Sequence, residues 1–239
     1  MSLQRKIGFY EKYTKRVLDV ICASLALLVF WWLYAFIAVM VRIKMGKPIL
    51  FRQPRPGLVD PETGEERIFD MYKFRTMTDA RDEQGNLLPD EQRLPKFGKL
   101  LRATSLDELP EAINIFKGDM SVIGPRPQLV RDMVFMTEEQ RMRHTAKPGL
   151  SGLAQVMGRN AISWEEKFKW DLAYIEKVSF FGDVKIIFLT VKKVFGKGES
   201  SDELDIADDY GDLLLKTGKV SRSCYEELQK KAAALLNSR

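Results

Sequence analysis

Two adjacent carboxylates, Asp107 and Glu108, lie in the stretch Arg102-Ala-Thr-Ser-Leu-Asp-Glu-Leu-Pro-Glu111. Ser105-Leu-Asp-Glu108 has the form of a capping box, and acids are favoured in a first helical turn. Read alone, such a pair is more often structural than catalytic. Its setting points to anion chemistry. Arg102 is close upstream, and a helix N-terminus presents backbone N–H groups to anions. A carboxylate stabilised there stays ionised at neutral pH, as a nucleophile or a Mg²⁺ ligand must.

The cations form a second set. Lys73 and Arg75 alternate with Tyr72 and Phe74 on an expected strand, so period two puts both charges on one face. Arg126 stands between Pro125 and Pro127. Proline on both sides restricts the backbone, so the guanidinium is aimed with less entropy to lose, which suits a bidentate grip on phosphate. Arg159, in Gly158-Arg-Asn160, follows an expected strand and is a further phosphate-ligand candidate; a plain surface charge explains it almost as well. The lone His144 has no cysteine or histidine partner for zinc and reads as structural or as a weak phosphate contact. There is no P-loop and no dinucleotide fingerprint.

These groups need elements to hold them. Residues 20–41 carry no charge, about the length that crosses a bilayer as a helix. Basic residues flank both ends, from Arg5 to Arg16 and from Arg42 to Arg55. Positive charge marks the cytoplasmic side, so the charges favour a re-entrant hairpin over a single span. A hairpin needs a break, yet no Pro or Gly lies between Gly8 and Gly46. Residues 48–53 and 67–75 read as strands joined by a loop carrying Pro54, Pro56, Gly57, Pro61 and Gly64. Helices are expected over 90–101, with Asp90 as cap and Phe97, Leu100 and Leu101 inward, and from about 105 to Gly118. Others follow over 137–144, 163–177 (capping box Ser163-x-x-Glu166), 183–195 and 221–236. The 183–195 helix has an apolar face with flanking lysines, as either a core helix or an interfacial one would. Two Pro-Arg-Pro tripeptides, at 54–56 and 125–127, are the one repeat.

The sequence of 239 residues has 38 Lys+Arg against 33 Asp+Glu, a formal net charge of +5. That suits anionic lipid, phosphate or nucleic acid, but the basic residues form no single long stripe, so nucleic acid is not expected. Cys22 and Cys224 match no metal or disulfide spacing. The expected organisation is a membrane-inserted N-terminal helix at 1–47, a catalytic domain at 48–196, and an acidic linker with a C-terminal helix at 197–239. The last reads most simply as a surface appendage. The fold class is α+β: an inserted helix, re-entrant or spanning, interfacial amphipathic helices, and a small sheet or hairpin around the site.

The ordered motifs resemble those of the bacterial sugar transferases, small monotopic phosphoglycosyl transferases. They are Lys15-Arg-Val-Leu-Asp19, Phe51-Arg-Gln-Pro-Arg-Pro-Gly57, Tyr72-Lys-Phe-Arg-Thr-Met77, Ser105-Leu-Asp-Glu-Leu-Pro110, Lys117-Gly-Asp-Met-Ser-Val-Ile-Gly-Pro-Arg-Pro127 and Lys147-Pro-Gly-Leu-Ser-Gly-Leu-Ala-Gln-Val-Met-Gly-Arg-Asn160. The resemblance implies transfer of a phosphosugar from a UDP-sugar to a polyprenyl phosphate, usually undecaprenyl phosphate, with release of UMP. It maps the family's acidic dyad onto Asp107 and Glu108. Asp107 would attack the β-phosphate and carry the phosphosugar, with Mg²⁺ near the same carboxylate and Glu108 in support. Lys73, Arg102, Arg126 and Arg159 match positions expected to hold phosphate or nucleotide. The implied place is the bacterial cytoplasmic membrane, catalytic domain inward, with lipid as a partner and a homo-oligomer or downstream glycosyltransferases as further ones. The family hairpin usually bends at Ser-Pro, where this chain has Trp31-Trp32. The same carboxylates and cations would also serve a membrane-bound Mg²⁺-dependent hydrolase of nucleotide-sugars or lipid diphosphates, or merely a lipid-binding scaffold.

Overall fold

The computed structural model describes residues 5–158, 162–195 and 208–238. The chain opens with a π-helical turn, Tyr10–Thr14, that runs into helix α1, Lys15–Val29; α2, Trp31–Met45, follows at once. The two are bent by 65° at Phe30, whose φ of −102° and ψ of 13° leave the helical region. No single helix among the described residues is long and apolar enough to cross a membrane. The break has no Pro or Gly because tertiary docking imposes it. Ala23 of α1 packs with Phe69, Met71, Ile115 and Met120, while Ile37, Val41 and Met45 of α2 pack with Phe74 and Leu101. The Tyr34 hydroxyl donates to Leu109 O at 2.7 Å. Facing outward around the bend are Leu25, Leu28, Val29, Phe30, Trp31, Trp32 and Phe36, all exposed.

The first motif is an anchor. Lys15 pairs with Asp183 at 2.5 Å, Asp19 accepts from Ser121 Oγ and Val122 N at 2.9 Å each, and Arg16 donates to the carbonyls of Ile115 and Phe116. Together these fix α1 against the elements that follow.

Strands β1, Leu50–Val59, and β2, Glu66–Phe74, form an antiparallel ribbon with Leu50 opposite Phe74 and Pro56 opposite Ile68. Pro54-Arg-Pro56 therefore lies inside β1, not in the expected loop. A two-stranded ribbon leaves one edge of β1 unpaired, and prolines two residues apart share an edge where no N–H is needed. The expected helix over 90–101 is divided at Pro95 into α3, Asp90–Arg93, and α4, Lys96–Ala103. Asp90 makes no cap bond, and Leu100 is exposed while Leu101 is buried. Next comes α5, Glu111–Lys117, ended by Gly118 at φ 99°. Asn114, fully buried, docks α5 on β2 by accepting from Tyr72 N and donating to Asp70 O.

Strand β3, Ser121–Ile123, precedes α6, Val130–Met133, and α7, Glu138–Arg141, which Thr137 caps through a complete capping box. β4, Gly149–Ser151, pairs in parallel with β3 and leads into α8, Leu153–Met157. α9, Trp164–Glu176, starts at the expected Ser163–Glu166 box. α10, Phe180–Phe195, buries Ile186 and Asp183 but leaves Phe181, Val184, Phe188 and Val191 exposed. Finally, α11, Tyr210–Lys216, and α12, Arg222–Asn237, contribute to the core rather than forming an appendage. Tyr210 and Leu214 join Phe135, Met136, Trp164 and Phe168, and Ala232 packs with Val130 and Met133. Among the described residues the architecture is thus mixed helix with two small sheets.

Candidate active site

Asp107 and Glu108 lie in a 3₁₀ turn, Leu106–Glu108, between α4 and α5. The expected capping box does not form. Ser105 has φ 55°, and its side chain makes no cap bond. Pro110 lacks the N–H that would continue a ladder to Leu106 O, so Leu109 N takes that carbonyl at 3.4 Å and the turn tightens. The pair therefore stands ahead of a helix that begins only at Glu111, and the argument from a helix N-terminus does not apply.

The turn forms part of the wall of a cavity of about 820 Å³. Glu108 Oε1 accepts from Lys73 Nζ at 2.7 Å and from an Arg126 terminal nitrogen at 2.6 Å. Burial pushes the Glu108 carboxyl up, but Arg126 and Lys73 outweigh it and hold it well below the usual range. Lys73 Nζ is also 3.4 Å from Oε1 of Glu111, which is 1% exposed. Burial and the Glu108 charge push Glu111 up to about 7, with Lys73 and Arg126 acting against them. Asp107 is different. It lines the cavity and makes no ion pair among the described residues. Burial raises its pKa, Lys73 and Arg102 oppose that rise, and Glu108 adds to it.

Arg126 reaches Glu108 because its turn is clamped twice. Arg55, in the first Pro-Arg-Pro, donates to Pro127 O in the second at 3.1 Å and to Gln53 Oε1 at 2.6 Å. Arg143, 1% exposed, donates to Arg126 O at 2.7 Å while paired with Asp171 at 2.5 Å. The repeat visible in the sequence is thus a contact between a segment of β1 and a proline-flanked turn. Arg102 lines the same cavity, its Nε donating to Thr76 Oγ1 at 3.0 Å. Arg75 also reaches the cavity, but its donors are committed to Met77 O, to Lys47 O and to Asp79. It braces the wall in this state. Arg159 lies outside the described residues. His144 is structural: its Nδ1 is 2.9 Å from Glu66, which Arg141 also grips.

The structure therefore brings Lys73, Arg102, Asp107, Glu108 and Arg126 to one cavity. Sequence reasoning missed Glu111, Lys167 and Asp171. Glu111 stood in view as a third acid one turn beyond the pair, while the other two reach the cavity from α9, far along the chain.

Comparison with known proteins adds the family. The family model described as bacterial sugar transferase matches residues 10–197. The chain belongs to that family. It is 50% identical over 180 residues to the protein named uncharacterized sugar transferase EpsL of Bacillus subtilis (strain 168), covering 75% of this chain and 86% of that one. It is 37% identical over 191 residues to a UDP-glucose:undecaprenyl-phosphate glucose-1-phosphate transferase of Klebsiella pneumoniae, covering 76% of this chain. The Escherichia coli (strain K12) protein of the same name is 35% identical over 195 residues, 77% of this chain. The alignments span only 40% and 41% of those two proteins.

Proposed function

We propose that this sugar transferase moves a phosphosugar from a UDP-sugar to a polyprenyl phosphate at a membrane surface, releasing UMP, as a first membrane step of glycoconjugate assembly. The observation that carries the reading is the unequal treatment of the acidic pair. Glu108 holds two cations, whereas its neighbour Asp107 faces the cavity without an ion pair among the described residues. A carboxylate without an ion pair is available as a nucleophile; one saturated with cations is not.

In the proposed sequence an Asp107 oxygen attacks the β-phosphorus of the donor. The bond from that phosphorus to the bridging oxygen breaks, and UMP leaves with the electron pair. An oxygen of polyprenyl phosphate then attacks the same phosphorus, the aspartyl–phosphorus bond breaks, and the Asp107 carboxylate returns. Phosphoryl transfer is chiefly positioning plus charge neutralisation, which Lys73, Arg126 and Arg102 supply. Glu108 keeps the first two in place before the donor arrives.

Among the described residues no group of three or more His, Cys, Asp or Glu forms a metal cluster. A single free carboxylate still fits Mg²⁺, which is commonly bound by one or two carboxylates plus substrate phosphates and water. Asp107 would be its protein ligand, and the ion would add charge neutralisation at the diphosphate. The membrane reading rests on the exposed apolar surface around the α1–α2 bend and along α10, large patches that water does not favour. Relatives named for UDP-glucose and undecaprenyl phosphate support the substrate classes.

The test is intact-protein mass and UMP release with Mg²⁺ and a panel of UDP-sugars headed by UDP-glucose, without lipid and then with polyprenyl phosphate. A phosphosugar adduct present in the wild type, absent in Asp107→Asn, and discharged by lipid is the expected result. Free sugar phosphate in place of a lipid product would make the protein a hydrolase.

A further inference from the structure

We propose that Lys167 is a substrate-phosphate-binding residue of this cavity, and that the C-terminal segment sets its position through Trp164. The inference rests on the transferase reading above.

The basic side chains that line the cavity are mostly spoken for. Lys73 and Arg126 pair with Glu108, Arg75 with Asp79, and Arg93 with Asp90. Among the described residues, only Arg102 and Lys167 line the cavity as cations with no carboxylate in ion-pair range. Arg102 comes from α4 and Lys167 from α9, so two unneutralised cations reach one cavity from separate elements. A phosphate group satisfies that arrangement, because it offers several charged acceptor oxygens at once.

Lys167 is not simply waiting for Asp171. That carboxylate lies one turn further along α9, but its Oδ2 accepts twice from Arg143, from Nε at 2.9 Å and from a terminal nitrogen at 2.5 Å. Instead, Lys167 Nζ stands 4.8 Å from the centroid of the Trp164 ring. An aromatic face attracts an ammonium without neutralising it, and so holds the charge ready for an anion. Burial and the nearby Arg126 charge lower the Lys167 pKa, a cost that an incoming phosphate relieves.

Trp164 in turn depends on residues beyond the family-matched 10–197. Its indole N–H donates to Asp208 O at 3.0 Å, and its ring packs on Tyr210 at 5.2 Å between centroids. Tyr210 is held in place because Arg131 pairs with Asp209 and Asp212, and Gly211 N donates to Asp132. The segment thus reaches the cavity through one ring and one ammonium.

The phosphate is that of the donor or that of the lipid acceptor, and steady-state kinetics of the full-length protein with both substrates separates them. Lys167→Met keeps the apolar stem on Trp164 and removes the charge. It should raise KM for one substrate by about tenfold or more, the worth of one charge-assisted hydrogen bond, with kcat and thermal stability little changed. Lys167→Arg should recover most of the loss. Tyr210→Leu should raise the same KM in the wild-type background and add nothing in the Lys167→Met background, as coupled residues do. Unchanged KM for both substrates in Lys167→Met overturns the assignment. A KM increase for Tyr210→Leu that adds in full to that of Lys167→Met, or no KM increase at all, overturns the link to the C-terminal segment. A wild-type protein that makes no lipid-linked phosphosugar removes the transferase reading itself, and this inference with it.

Discussion

Lys73 sits between two carboxyls, 2.7 Å from Glu108 and 3.4 Å from Glu111, and this sharing decides which acid is ionised. Glu108, with Arg126 as a second partner, keeps its charge, while Glu111 is pushed up to about 7 by burial and the Glu108 charge. Between its ordinary value of 4.5 and about 7 the folded protein holds a proton on Glu111 that the unfolded chain has released. The stability this contributes is full below 4.5 and lost as pH rises through 7. Glu111→Gln should therefore melt higher than the wild type above pH 7, and the gap should close near pH 4 in thermal scans. Asp107 shows the same sign, since burial raises its pKa. Asp107→Asn should keep or raise thermal stability while lowering turnover by about a thousandfold or more, as loss of a nucleophile does. A variant that is both inactive and unfolded would deny the separation of roles. Asp107, Glu108 and Arg102 stood out as candidates in the sequence because they share one short stretch. The protonated neighbour was not, because its state depends on charges brought in by β2 and the Pro-Arg-Pro turn.

Elements succeed or fail as readings according to how locally they are determined. The capping box expected at Ser163 forms because all its partners lie within one turn, as they also do in the box at Thr137. The box at Ser105 fails although its letters fit, because Pro110 withdraws an N–H further on. The prolines of β1 misled in the opposite direction, since sequence alone does not say which strand edge is free. The placement of α4 also depends on a distant contact. A Cβ on Gly98 would lie 2.0 Å from Thr76 O, and Arg102 of the same helix bonds Thr76 Oγ1. Gly98→Ala should push α4 off β2's end, destabilising the fold by about 1–3 kcal/mol and misplacing Arg102. Denaturant unfolding and donor KM would both register it; normal values for both would mean α4 does not depend on this contact. A second element-level test lies at β2. Glu66, 3% exposed, is held down to about 2 by His144 and Arg141 despite its burial. Its stabilisation is present above 4.5 and lost as pH falls toward 2, about 3 kcal/mol in all. Glu66→Gln should be the less stable protein at pH 7 and lose less than the wild type on acidification.

At the scale of the molecule the decisive feature is the bend at Phe30. A spanning helix needs about 20 apolar residues for a hydrocarbon core of about 30 Å. Here residues 20–29 and 31–41 are separate apolar runs set 65° apart, each shorter than that. Both limbs are tied on their inner sides to the cores beneath, through Asp19 and Ala23 on α1 and Tyr34 and Val41 on α2. Straightening the pair would pull one limb off its core. The sequence showed basic residues on both flanks but no breaker, because the cause of the bend lies in the surfaces that the limbs dock on. The arrangement leaves Trp31 and Trp32 near the bend, exposed among apolar neighbours, while Arg16 near the start of α1 is bonded to the carbonyls of Ile115 and Phe116 in α5. We propose that this bent pair enters and leaves the membrane on one side, which makes a sharp prediction about sidedness. With Cys22 and Cys224 replaced by Ser, Lys12→Cys and Lys44→Cys should both resist a membrane-impermeant thiol reagent in intact cells, and both should react once the membrane is opened. Labelling of either one in intact cells would mean that one limb crosses, and that α1 and α2 leave their docked positions when the protein meets lipid.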